Sequence, residues 1–159
     1  MRLLALIGAG VVATGLFWPS TALIVADERG VALWRLTVAE GSVVMLQYTN
    51  SLYLAPVYER FTVRAGRLAL IEVGSTSEAV LEYNRHPGPY RGSGAWLIAS
   101  ISGVTLDVLA LRVGERGRPT LEVDGAALPL YQAGTGTGLR ISVRREAPLL
   151  GWIAGAPAP

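Results

Sequence analysis

Residues 47–63 read QYTNSLYLAPVYERFTV, and this stretch decides the fold. Both of its ends alternate apolar and polar residues, which is the period-2 pattern of a half-buried β-strand. The pattern predicts a strand that ends at Tyr48, a loop over residues 49–55 and a second strand that begins at Pro56. Because proline donates no ladder hydrogen bond, we expect this second strand to have the character of an edge strand.

Glu59 stands on the apolar face of that second strand. Alternation places it with Val57 and Phe61, whereas Arg60 belongs to the opposite face. A carboxylate there must be paired, hydrogen-bonded, at the sheet edge or protonated, because burying an unpartnered charge is costly. Two interpretations stay open. Glu59 lies near the strand end with its head in solvent, or it is a partly buried carboxylate that organises the loop after Tyr48 or meets a ligand.

The rest of the chain repeats short alternating runs separated by turn signals. Residues 27–30 (DERG) predict a turn, and Asp124-Gly125 is typical of a type I′ hairpin. Many short strands at this spacing predict one all-β domain over residues 23–147, an antiparallel β-sandwich or a partly open barrel. Ser75-x-x-Glu78 has the form of a capping box, which predicts one short helix near residues 76–83, with a strand as the alternative.

The N-terminus has the pattern of an export signal. Arg2 precedes an apolar run over residues 3–18, and the small residues Ser20-Thr21-Ala22 follow. We predict cleavage after Ala22, so that residues 1–22 are a signal peptide. If uncleaved, they form a membrane anchor somewhat short of the ~20 residues of a typical span. In either case we expect an exported domain, periplasmic or on the outer face of the cytoplasmic membrane. Residues 148–159 are rich in Ala, Pro and Gly and predict a flexible tail.

Composition argues against several kinds of site. The chain of 159 residues has a formal charge of +2, no cysteine and one histidine, and all 14 of its basic residues are arginine. The arginines are scattered, so we expect no nucleic-acid partner. One histidine without cysteine predicts no metal site, and no motif calls for a cofactor. Since no nucleophile and base are arranged together, we expect no enzymatic activity.

The loop after Tyr48 and its flanks form the candidate recognition surface. Tyrosine, asparagine and serine give adaptable recognition at low entropic cost. An alternative that we favour less is an enzyme with Glu59 as base and Tyr48 as its partner. In a third interpretation the same side chains only stabilise the fold of a structural or envelope-assembly module. The candidate ligand- or partner-binding residues are Tyr48, Asn50, Ser51, Tyr53, Glu59 and Arg60.

Three motifs follow one another here: YTNS at residues 48–51, PVYERF at 56–61 and GRL at 66–68. In them the chain resembles a bacterial family of small exported proteins of unknown function. These are often encoded beside tripartite ATP-independent periplasmic (TRAP) transporters of the TAXI type. The resemblance covers residues 23–96 and runs more loosely to 145. It implies a transport-linked accessory role. For a binding module with the recognition surface above, we expect transporter components or a small organic solute, such as an organic acid, as partner. The family's opening motif usually reads Tyr-Thr-His-Ser, so a proton-transfer role of that histidine would be lost at Asn50.

Overall fold

The computed structural model describes residues 20–86 and 88–146. These residues form two antiparallel sheets, one short α-helix and one 3₁₀-helix, which confirms the predicted all-β class. The elements are β1 (Ser20–Asp27), β2 (Ala32–Val38), β3 (Val43–Thr49), β4 (Pro56–Arg64), β5 (Arg67–Ser75), α1 (Glu78–Tyr83), β6 (Arg91–Ser93), β7 (Trp96–Leu106), β8 (Leu109–Arg112), β9 (Thr120–Val123), β10 (Ala126–Leu128), the 3₁₀-helix (Leu130–Ala133) and β11 (Gly138–Glu146).

The two sheets form a sandwich around one core. The smaller sheet has the strand order β2-β1-β11-β8, and the larger has the order β10-β9-β3-β4-β5-β7-β6. Leu23 and Ile141 of the smaller sheet are fully buried in the same apolar cluster as Phe61 and Leu68 of the larger one. Helix α1 adds the buried side chain of Leu81 to this cluster. We call the core side of the larger sheet its inner face and the opposite side its outer face.

Strands β3 and β4, which hold most of the opening stretch, lie in the interior of the larger sheet. Tyr48 pairs with Val57, and Leu46 pairs with Glu59. Strand β4 also pairs with β5 on its other side, so the edge character predicted from Pro56 is wrong. Pro56 is instead the first residue of its strand, one of the positions that proline accepts within a sheet.

The short helix is confirmed at Glu78–Tyr83, but the capping box is wrong. Ser77 is the residue at the N-cap, and it makes no side-chain capping bond. Ser75 is the last residue of β5, and its hydroxyl donates to the Pro56 carbonyl at 2.9 Å. The same hydroxyl accepts from the Ser77 amide at 3.2 Å. The serine therefore ties the end of β5 to the start of β4 and does not cap the helix.

The β9–β10 hairpin is confirmed in register and in turn conformation. Val123 pairs with Ala126, and the two turn residues have positive φ angles, 47° at Asp124 and 90° at Gly125. A type I′ turn requires positive φ at both central positions, which favours an Asp-Gly pair.

The predicted boundary between leader and domain falls inside β1. Ser20, Thr21 and Ala22 pair with the end of β11, and Ala22 is only 2% exposed. The described sandwich thus includes the last three residues of the predicted leader. The remainder of the predicted signal or anchor, residues 1–19, and the predicted tail lie outside the described residues. Within the described part of the chain, no helix is long and apolar enough to cross a bilayer.

Candidate functional site

A cavity of about 330 Å³, which we call the inner cavity, opens between the inner face of β3 and β4 and strand β8. Leu46, Leu109 and Leu111 contribute apolar walls. The volume is at the lower end of the range for small-molecule sites. Four of the six candidate residues line this cavity: Tyr48, Asn50, Ser51 and Glu59.

Tyr48 and Glu59 form the polar centre of the inner cavity. The Tyr48 hydroxyl donates a hydrogen bond of 2.9 Å to Glu59 Oε1. The two residues are diagonal neighbours on the inner face, because Tyr48 pairs with Val57, and long side chains bridge that spacing. Among the described residues, no other group bonds to this carboxylate. Its second oxygen, Oε2, has no hydrogen-bond partner within residues 20–86 and 88–146.

Burial governs the protonation of this pair. Desolvation raises the pKa of the Glu59 carboxyl, and the hydrogen bond from Tyr48 partly opposes that rise. The pKa of Tyr48 is also raised, first by burial and then by Glu59, whereas the Asn84 side chain acts in the opposite direction. Tyr48 therefore stays a neutral donor at physiological pH. Of the two interpretations of Glu59, the structure shows the partly buried carboxylate at the entrance to the loop.

Asn50 determines the shape of the loop. Its Oδ1 accepts from the backbone amides of Leu52 and Tyr53, both at 3.0 Å, in an Asx-turn. Its own amide donates to the Ala55 carbonyl at 2.9 Å, and its carbonyl accepts from the Leu54 amide at 2.8 Å. The carboxamide oxygen is thus committed to the loop, and the Nδ2 group is the part of this side chain that remains for a ligand.

The other candidate residues lie apart from the Tyr48–Glu59 pair. Ser51 is exposed at the cavity wall. Tyr53 is 43% exposed and packs edge-on against Tyr83, with 6.1 Å between ring centroids. Arg60 lies on the outer face of the sheet, so its guanidinium does not share a site with Glu59.

Arg60 belongs to a cluster on the outer face that is centred on Glu72. Glu72 is only 9% exposed, and both of its carboxylate oxygens accept hydrogen bonds from protein groups. Oε1 accepts from the Tyr58 hydroxyl at 2.7 Å and lies 3.3 Å from Arg60 Nη2. Oε2 accepts from Arg91 Nη2 at 3.0 Å. Desolvation, followed by the hydrogen bond and charge of Glu72, raises the pKa of Tyr58 to about 12, so this tyrosine also remains a donor.

Sequence reasoning missed this cluster because β5 contains a bulge. Arg60 pairs with Glu72 but the next residue of β4, Phe61, pairs with Leu70, so Ile71 has no partner on β4. Strict alternation from Leu70 would place Glu72 on the inner face, and the extra residue moves it to the outer face. The available signal was a single charged residue inside an otherwise apolar strand.

The partly buried Glu59 and the buried Glu72 lie on opposite faces of the larger sheet. Glu59 pairs with Val73 on the inner face, and Glu72 pairs with Arg60 on the outer face. They cannot flank one substrate bond as the paired acids of a glycoside hydrolase do. Within residues 20–86 and 88–146, no group of three or more acidic or histidine side chains is arranged to hold a metal ion.

Comparison with family models, with curated proteins and with solved structures finds no match to this chain.

Proposed function

We propose that this protein is a non-catalytic, exported binding module that assists a TRAP-type transporter and holds a small solute in the inner cavity. The observation that carries the proposal is the Tyr48–Glu59 pair, in which a partly buried carboxylate keeps one oxygen without a partner in the described part of the chain. Its raised pKa means that the charged form is disfavoured in the fold. Such a cost is typical of groups that serve binding or catalysis.

The charge of the inner cavity selects the chemistry of the solute. Arg112 is the cation among its lining residues, but this guanidinium bonds to the Glu28 carboxylate at 2.6 Å and to the Gly136 carbonyl. Glu59 is then the charged lining residue without a counter-ion among the residues that the structure describes. A ligand with an ammonium or hydroxyl donor on a short apolar body fits this arrangement better than the organic acid expected from the sequence.

A thermal-shift screen tests whether the inner cavity binds a solute. Cationic, neutral and anionic metabolites are added to the full chain and to its Glu59→Gln variant, since a ligand that binds the folded state raises the midpoint. We expect amines or alcohols to stabilise the wild type and to lose that effect in the variant. A panel in which no compound stabilises the wild type would rule out the solute-binding proposal.

The proposed link to a transporter is supported by the resemblance over residues 48–68 and by the apolar N-terminal run. Exposed apolar side chains offer a contact surface: Leu52 is 65% and Leu54 61% exposed in the loop, and Tyr83, 62% exposed on α1, packs against Tyr53 of that loop. The test is co-purification of transporter subunits with a tagged chain from its native membranes. Leu54→Asn removes an apolar side chain from this surface without straining the loop, because Leu54 has a φ of 52°, which asparagine tolerates. Absence of transporter subunits from the wild-type sample would contradict the link.

Asn50 favours a second candidate function, that of a structural module whose polar residues serve the fold. Its carboxamide oxygen is fully used by two backbone amides of its own loop. In that case Asn50→Ala lowers stability and leaves solute and partner binding intact. Ser51→Ala is the matched control, since Ser51 lines the same cavity without a hydrogen bond to the described residues.

A further inference from the structure

A second cavity, of about 420 Å³, lies on the outer face of the larger sheet; we call it the outer cavity. We propose that the outer cavity is a binding site for a small monocarboxylate that carries a flat apolar group. The proposal is independent of the inner cavity, because a different face of the sheet and different residues carry it. The features that support this site are two arginines with unused donors, a carboxylate whose oxygens are both occupied, and an aromatic wall.

The outer cavity has a net positive charge, and its two arginines carry N–H donors that have no partner among the described residues. Arg60, Arg91 and Glu72 are the ionised residues among its lining, which gives a formal +1. Each guanidinium has five N–H donors in a planar fork, and each uses one nitrogen on Glu72. Their side chains are 42% and 67% exposed, so the remaining donors are accessible to an incoming anion. Within the described residues these donors have no other protein partner.

Glu72 holds the two arginines in place and does not compete for the ligand site. Its oxygens already accept hydrogen bonds from Tyr58 and Arg91, and Oε1 also forms an ion pair with Arg60. A buried carboxylate with these partners fixes the positions of both cations before a ligand arrives, and such preorganisation reduces the cost of binding. The single net positive charge matches a monocarboxylate better than a dianion such as phosphate, which Glu72 would repel.

An aromatic wall forms the other side of the outer cavity. The rings of Tyr58 and Trp96 lie 5.2 Å apart with an interplanar angle of 57°. Gly74 makes this possible, since a Cβ at that position would overlap the Tyr58 ring. Ile98, 7% exposed, adds an apolar surface beside Trp96. A flat apolar group attached to the carboxylate would therefore pack against this wall while the carboxylate meets the arginine donors.

Calorimetric titration of the full chain with benzoate tests the proposal, with acetate and inorganic phosphate as comparison ligands. We expect benzoate to bind saturably and more tightly than either comparison ligand. Arg91→Gln should weaken benzoate about tenfold or more, because one charge-assisted contact is lost. Arg91→Lys keeps the charge beside Glu72 but loses the planar fork, so it should also weaken binding while the thermal midpoint stays near that of the wild type.

Two control variants separate this site from general charge effects and from the inner cavity. Arg67 pairs with Asp107 at 2.8 Å on the same sheet and is similarly exposed at 44%, yet it does not line the outer cavity. Arg67→Gln and Glu59→Gln should both leave benzoate affinity unchanged. The proposal is overturned if benzoate does not saturate, if Arg67→Gln weakens it as much as Arg91→Gln, or if phosphate binds more tightly than benzoate. Equal affinity for acetate and benzoate would also overturn the proposal, because the aromatic wall would then contribute nothing to binding.

Discussion

Replacing Tyr48 by phenylalanine removes the one protein partner that the Glu59 carboxylate has among the described residues. A hydrogen bond to a charged group contributes about 1.5–3 kcal/mol to stability. Glu59 is partly accessible, so water replaces some of what is lost. We therefore expect Tyr48→Phe to reduce the free energy of unfolding by about 1–2 kcal/mol at about pH 8.

The penalty of Tyr48→Phe should depend on pH. The hydrogen bond lowers the pKa of Glu59, so its loss raises the folded-state pKa of this carboxyl further above the unfolded value. For an acid with a raised pKa, the charged form is the one disfavoured in the native state. The penalty is therefore largest above the folded-state pKa and shrinks as the pH falls through that pKa. It should fall to roughly half, because a hydrogen bond to the neutral carboxyl is about half as strong as one to the carboxylate.

Urea unfolding followed by fluorescence, at about pH 8 and at about pH 4, below the ordinary glutamate pKa, measures both quantities. Tyr58→Phe is the matched control: it deletes the same hydroxyl, but Glu72 keeps Arg60 and Arg91 as partners. Its penalty should be about 0.5–1 kcal/mol. Equal penalties for the two variants, or a Tyr48→Phe penalty that is the same at both pH values, would refute the reasoning about Glu59.

Three further predictions concern stability. Glu59→Gln should be more stable than the wild type at about pH 8, because the raised pKa of Glu59 means that its charged form is disfavoured in the fold. This advantage should vanish as the pH falls below the ordinary glutamate pKa. A variant and a wild type that are equally stable at both pH extremes would contradict this. Gly74→Ala should displace the Tyr58 ring and cost about 1–2 kcal/mol, whereas Gly92→Ala, where a Cβ meets nothing within 4 Å, should cost less than about half of that; thermal melting compares the two. A chain that begins at Leu23 should be less stable in urea than one that begins at Ser20, because it lacks three paired residues of β1.

Much of the sheet and the face of Glu59 could be predicted from the sequence, because a period of two is a local property of a strand. Tyr48, Val57 and Glu59 keep that period through the β3–β4 pair, and the structure places them as alternation indicates. The type I′ turn at Asp124-Gly125 is equally local, since the φ angles that it requires select those residue types.

Other features depend on non-local packing and could not be predicted. The bulge at Ile71 changes the face of Glu72, and neither composition nor alternation marks the extra residue. The far wall of the inner cavity comes from β8, about sixty residues after Tyr48, so the cavity exists only once the two sheets pack. The sequence does not distinguish an edge strand from the interior strand that begins at Pro56, because proline is accepted both on edge strands and at the first position of a strand.

The most direct test of the central claim is a calorimetric titration with n-butylamine, n-butanol and butyrate at about pH 8, above the ordinary glutamate pKa. If the inner cavity binds through Glu59, butylamine binds most tightly, butanol more weakly and butyrate least. Glu59→Gln then weakens butylamine about tenfold, and Tyr58→Phe, on the outer face, has no effect. Butylamine affinity that is unchanged in Glu59→Gln would contradict the assignment of the inner cavity. Tightest binding of butyrate would also contradict it if that binding persists in Arg91→Gln, which weakens anion binding at the outer cavity.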